Sequence, residues 1–444
     1  MGRRWALAAL AAGVLCPAIA VAQEEETKTT GTGRALSMRE VVAMATKTNP
    51  DSITAQARID RAEADMALAQ SRYLPTVEAK AIGAGNTVQD TLLFRNDHYT
   101  MSTAHAEGRV DLRWTLWDFG RTSNAVASAD ASKDSAEYSA AATKASVAQR
   151  AAQMFVTVAY DQNIVASKKT AVKHRARFSA IAKALVEKGV RPAIDETRAK
   201  VLLEGARHDL TIAEARLQID RARLAILAGV DPSQLERVSA PLLPSVEDDS
   251  NKAATVAEKA RPDVAAAVSD VEASDRRVDS ARAGWLPRIG VDAGASYRFT
   301  RRDFDDATIP RREATAMLTV TVPIFDPTVG AQVDQAKAEL AASHAREDRA
   351  RRQVKLEATE AALTLRAAKA ALARAKELES AASTALSVIE ARYASGLATP
   401  LELVDAETMD IDARETLMAA ELRLHLATVD VLVATGRAKS LEGT

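Results

Sequence analysis

Ala104-His105-Ala106-Glu107-Gly108-Arg109-Val110-Asp111-Leu112-Arg113-Trp114-Thr115-Leu116 alternates small or apolar residues with polar and charged ones. A strand puts successive side chains on opposite faces, so this stretch predicts a β-strand with one greasy and one charged face; a helix would mix the two sets. The pattern recurs. Ile289, Val291, Ala293, Ala295, Tyr297 and Phe299 alternate with Arg288, Gly290, Asp292, Gly294, Ser296 and Arg298, and Ala314 to Ile324 interleave with threonines and Met317. Thr76 to Gly85 is a weaker fourth case. Two readings follow: a half-buried sheet on a soluble protein, or part of a transmembrane β-barrel with an apolar outside and a wet lumen. The barrel is favoured, because strands of ten residues span a bilayer and the charged faces are too polar to lie against a core. Tyr73, Trp117, Trp285 and Phe325 stand where strands meet helices, as an interfacial aromatic girdle would. Four strands cannot close alone, and an open edge is intolerable in lipid. Three copies would supply twelve, with residues 86–100 and 301–312 as polar outer loops.

Glycine and proline delimit the rest. Neither occurs in 121–188 or in 331–395, and both stretches are rich in strong helix formers. Each predicts a helix about 100 Å long, ended by Gly189 or Gly396, a short turn and a second helix running to Gly229 or Gly436. Val354, Ala358, Ala361, Leu365, Ala368, Leu372 and Ala375 step by fours and threes, a coiled-coil seam that needs helices alongside it.

The halves resemble each other. Asn49-Pro50-Asp51 matches Arg261-Pro262-Asp263 and Tyr73-Leu74-Pro75 matches Trp285-Leu286-Pro287, both 212 residues apart; Trp117-Asp118-Phe119-Gly120 matches Phe325-Asp326. The predicted organisation is a first repeat over 23–230 (strand pair about 76–117, hairpin 121–229), a Pro-rich acidic linker over 231–250, a second repeat over 251–436 (strand pair about 288–325, hairpin 331–435) and a tail over 437–444. Ahead of them, Arg3 and Arg4 precede an uncharged, mostly apolar run that ends in Ala18-Ile19-Ala20 and Ala20-Val21-Ala22, the layout of a cleavable signal peptide over 1–22. An uncleaved anchor is the alternative, and Cys16, between Leu15 and Pro17, is a poor match to a lipidation site.

Composition excludes several classes. Lys+Arg total 59 and Asp+Glu 60, a net charge of -1, so no bulk positive charge is available for nucleic acid. One cysteine allows no disulfide framework and no thiolate zinc cluster. No phosphate-binding loop, zinc-protease motif or nucleophile elbow is present, and the six histidines lack ligand spacing, so neither an enzyme, a metal nor a cofactor is expected.

The order and spacing of these motifs, over 36–436, resemble the TolC-type outer-membrane efflux channel family. The resemblance implies an α+β membrane protein: a homotrimer whose four strands per chain form a 12-stranded transmembrane β-barrel in the outer membrane, while long helical hairpins form a periplasmic helical barrel. It implies a passive channel of a tripartite efflux or type I secretion system, docked to a periplasmic adaptor and an inner-membrane pump. It places the adaptor-docking tips at Gly189, Val190, Arg191, Gly396, Leu397 and Ala398, and Glu107, Arg109, Asp111 and Arg113 in the barrel lumen. A periplasmic gate would comprise the carboxylates Glu402 and Asp405, their pKa values raised by like-charge crowding, and a Tyr393–Asp195 hydrogen bond. The basic residue of the family's pattern is absent at Ala398, with Arg191 as a substitute. The alternatives are that these acids are ordinary first-turn helix residues, and that the whole chain is a pore-less periplasmic coiled-coil scaffold or adaptor.

Overall fold

The computed structural model describes residues 36–92, 97–235, 238–302, 307–395 and 397–442. The predicted signal peptide, Cys16 and Gly396 lie outside them. The elements come in two series of nearly equal length. The first is α1 (Met38–Thr48), α2 (Pro50–Gln70), β1 (Thr76–Leu92), β2 (Asp97–Trp117), α3 (Arg121–Glu187) and α4 (Ala193–Ala228). The second is α5 (Ser250–Ala260), α6 (Pro262–Arg282), β3 (Arg288–Arg302), β4 (Ala307–Thr321), α7 (Pro327–Ala394) and α8 (Pro400–Ala434), followed by the four-residue α9 (Lys439–Glu442).

The repeated motifs are helix and turn punctuation. Pro50 and Pro262 open α2 and α6 at a position that needs no N–H donor. The acid of each Trp/Phe-Asp turn caps the long helix that follows: Thr122 N donates to Asp118 at 2.9 Å and Thr328 N to Asp326 at 2.9 Å. Gly229 and Gly436 have positive φ, and a Cβ there would lie 2.6 Å from Thr48 Oγ1 and 2.8 Å from the Ala260 carbonyl. Each half thus presses the end of its second long helix against the end of its first short one, a fit only glycine permits.

The strands form one antiparallel sheet in the order β1-β2-β3-β4. The strands run further than expected: most of 86–100 and the ends of 301–312 belong to them, while 93–96 and 303–306 lie outside the described residues. Once the ladder has begun, a polar pair costs nothing where both faces are wet, so polarity did not mark the strand ends. Trp117 also departs from simple alternation. A register shift between Thr115 and Trp117 sets Trp117 opposite Ile289, so a bulge carries it from the charged face to the apolar one.

The largest apolar core joins the two halves. Val147, Ala151, Ala152, Phe155 and Val158 of α3 pack with Val41 and Val42 of α1, Leu224 of α4 and Leu432 of α8, all essentially inaccessible to solvent. The segment read as a linker contributes Leu235 and Val238, and the segment read as a tail contributes Leu441 of α9. Neither is a free tether: one or two apolar residues carry each into the core, too sparse a signal to show a period. The seam of α7 is buried as expected at Val354, Ala358, Leu365, Ala368 and Ala375, but Ala362 replaces Ala361 as the fully covered position. No helix among the described residues is long and apolar enough to cross a membrane, which leaves the sheet unaffected as a candidate.

Candidate functional site

Register divides the sheet cleanly. Directly opposed residues share a face, so Glu107, Arg109, Asp111 and Arg113 stand together with Glu78 and Lys80 of β1, Asp292 and Arg298 of β3, and Arg311 and Glu313 of β4. Each carboxylate among these is ion-paired: Glu78 with Lys80 (2.9 Å), Glu107 with Arg298 (2.5 Å), Asp111 with Arg109 (2.6 Å), Asp292 with Arg113 (3.5 Å) and Glu313 with Arg311 (3.7 Å). The face is polar, and Arg288 of β3 adds a further cation to it. The opposite face carries Val77, Val110, Trp114, Val291, Leu318 and Val320, and the last two are more than half exposed. Tyr73, Trp117, Trp285 and Phe325 are all exposed at the sheet's helix-side end, and Trp114 Nε1 donates to the Tyr73 carbonyl at 2.8 Å.

The hairpin tips lie at the other end of the long helices. Each closes with the same backbone bond: Val190 N donates to the Leu185 carbonyl (3.0 Å) and Leu397 N to the Arg392 carbonyl (2.8 Å). Val190 and Leu397 are left 64% and 70% exposed beside exposed Arg191, with Ile194 and Leu401 adding a second aliphatic to each tip. Ala398 is half-buried.

The expected gate group is only partly assembled within one chain. Glu402 is the reciprocal partner of Thr399 in a capping box: its carboxylate accepts from Thr399 N (2.6 Å) and Oγ1 (3.1 Å), while Glu402 N donates back to Thr399 Oγ1 (3.2 Å). The Thr399 backbone N–H, then its hydroxyl, hold the Glu402 carboxyl below its usual range, against the rise expected from crowding. The cation that adds to this lowering is Arg392 of α7, not Arg191. Asp405 is exposed and makes no ion pair among the described residues; Asp412, two turns on, is likewise exposed and extends the acidic face. The sequence reading missed it, although the spacing of seven from Asp405 marks one helix face. Tyr393 and Asp195 are both half-buried, but no hydrogen bond joins them: α7 and α4 do not pack together within the chain.

A second polar group was not anticipated. Asp161, Lys168 and Arg175 recur every seven residues along α3, between the apolar core and the tip. Asp161 is buried beside Asp220 of α4, with Arg216 Nε 3.5 Å from Asp161 and Arg223 2.8 Å from Asp220. Lys168 reaches Glu415 of α8 at 2.5 Å and Asp209 of α4 at 3.7 Å. Arg175, buried, donates to Glu407 (2.6 Å) and Thr408 (3.2 Å) of α8. Burial, followed by the neighbouring Asp220 carboxyl, pushes Asp161 up to about 6. Burial also raises Glu407, opposed by Arg175. The heptad spacing of charged residues was the available signal, but charge on a helix reads first as a solvated face.

A two-faced sheet carried on long helical hairpins is the architecture of a channel-type protein. The sequence profile of the outer membrane efflux protein family matches residues 41–230 and 254–437, and the chain belongs to that family, whose members are outer-membrane channels. It is 27% identical over 407 residues to Protein CyaE of Bordetella pertussis, covering 90% of this chain and 84% of the relative. It is 24% identical over 424 residues to outer membrane protein OprJ of Pseudomonas aeruginosa, with the same coverages. Its fold is that of the CmeC outer membrane channel of Campylobacter jejuni (TM-score 0.77, 17% identity, 90% of this chain and 86% of that one).

Proposed function

We propose that three copies of this chain form a conduit from the periplasm to the exterior, with β4 of one copy pairing with β1 of the next to close a 12-stranded barrel. The observation that carries this reading is the sheet itself: β1 and β4 each leave one edge, fifteen or more residues long, unpaired, and lipid tolerates no such edge. The helices add a matching need. Ile194, Val201, Ile212, Ile219 and Ile226 of α4 and Leu356, Leu363 and Leu378 of α7 are about half exposed or more in a single chain, and neighbouring copies would cover them.

In this assembly the signal peptide directs export, the paired charges line the barrel, and the tips point into the periplasm. There Val190, Ile194, Leu397 and Leu401 present apolar spots to an adaptor, which links the channel to an inner-membrane pump. The gate is the acidic face of Glu402, Asp405 and Asp412, repeated three times around the axis and attracting cations. Tyr393 and Asp195 would meet only between copies. Fractionation tests the reading: the protein should stay with outer membranes through carbonate and high salt and need detergent, and release by carbonate would favour the pore-less scaffold.

A further inference from the structure

Where the helices meet the polar face of the sheet, cations gather without acids to match them. A recess of about 470 Å³ between α2, α3 and α6 is lined by Arg72, in the turn after α2, by Arg121 of α3 and Arg277 of α6, and by Gln332 of α7. All three arginines are exposed. The side chains of Arg72 and Arg121 make no hydrogen bond or ion pair among the described residues, and Arg277 donates only to Ser132 Oγ, at 3.1 Å. The recess has one carboxylate, Asp65, whose cationic neighbour is Arg61 at 3.8 Å. Arg121 and Gln332 also line an adjoining cleft that reaches Arg288 and Thr321, opposed residues at the helix-side end of the sheet's polar face. The acids of that cleft, Asp118 and Asp326, are engaged by the N–H and hydroxyl groups of Thr122 and Thr328.

The contrast is with the sheet, where each carboxylate of the polar face holds a cation of its own. In the recess guanidiniums outnumber carboxylates three to one, and like charges on a concave wall raise and focus its potential. The guanidinium fork matches phosphate oxygens bidentately. We infer that this recess binds the phosphate groups of an anionic solute in transit. Its placement on the lumen side of the tunnel wall rests on the channel reading of the proposed function, whereas the recess itself is built by one chain.

Two measurements on the full-length protein purified in non-ionic detergent test this. Inorganic pyrophosphate is titrated by calorimetry, and the same anion is added to the sheet side of the channel in planar bilayers. It should bind saturably and reduce the single-channel current. An exposed ion pair is worth up to about fivefold in affinity, so Arg121→Gln and Arg277→Gln should each weaken binding and block about fivefold. Arg277→Lys, which keeps the charge without the fork, should fall between wild type and Arg277→Gln. Arg198→Gln, the same charge change on α4, should leave both intact. Binding without block of a conducting channel would overturn the lumen placement. Absence of binding, or a loss as large in Arg198→Gln as in Arg277→Gln, would remove the site and leave the channel standing. Absence of conductance would overturn the channel reading, with calorimetry still deciding the recess.

Discussion

The two halves of α3 are one continuous helix with opposite means of cohesion. From Val147 to Val158 it packs through side chains with no accessible surface, Phe155 chief among them. From Asp161 to Arg175 it holds α4 and α8 through buried or half-buried charges. Apolar burial is non-directional and is lost only by unfolding, whereas an ion pair can be exchanged for water or a proton. The difference teaches that the core fixes the middle of the hairpins, while the segment between it and the tip is joined by bonds that can be exchanged.

Three substitutions would break or sharpen that contrast. Phe155→Ala, in the apolar half, should cost about 4 kcal/mol, read as a lowered denaturation midpoint of the whole protein. Arg175→Met should remove about 2 kcal/mol from the contact between α3 and α8, seen as faster hydrogen exchange over 400–415 and larger single-channel conductance, with the sheet unchanged. If Arg175→Met lowered global stability as much as Phe155→Ala, the two halves would not differ in kind. The smallest effect belongs to Asp161. Its folded pKa of about 6 lies above that of an unfolded aspartate, about 3.9. Its contribution is therefore full at low pH and lost as pH rises through about 6. Exchange in α3 and α4 near this pair, corrected for intrinsic rates, should accelerate between pH 5 and 7.5, and Asp161→Asn should flatten the profile.

Much of this fold is legible in the sequence because its periods are long and uninterrupted. Period two in β2 gave both faces of the sheet, and the glycine- and proline-free runs gave α3 and α7 to within a few residues. What escaped depends on partners. The bulge at Trp117 is a property of pairing with β3, and the shift from Ala361 to Ala362 reflects the drift of a 3.6-residue helix against a seven-residue repeat. Leu441 is buried only because α1 and the middle of α3 meet it. At the tip, Thr399-Pro400-Leu401-Glu402 already spelled a capping box, so the local role of Glu402 was readable, while any gate role depends on neighbouring copies. The charged residues of α3 were visible but their burial was not.

The sheet and the tip also differ in how their charge is balanced. The carboxylates on the polar face of the sheet are ion-paired, whereas Asp405 and Asp412 of the tip helix make no ion pair among the described residues. The most direct test of the account is therefore the reversal potential of the purified protein in a planar bilayer under a salt gradient. The account predicts a cation-selective conductance whose reversal potential moves toward zero in Asp405→Asn/Asp412→Asn. Absence of conductance, or a selectivity indifferent to those two residues, would contradict it.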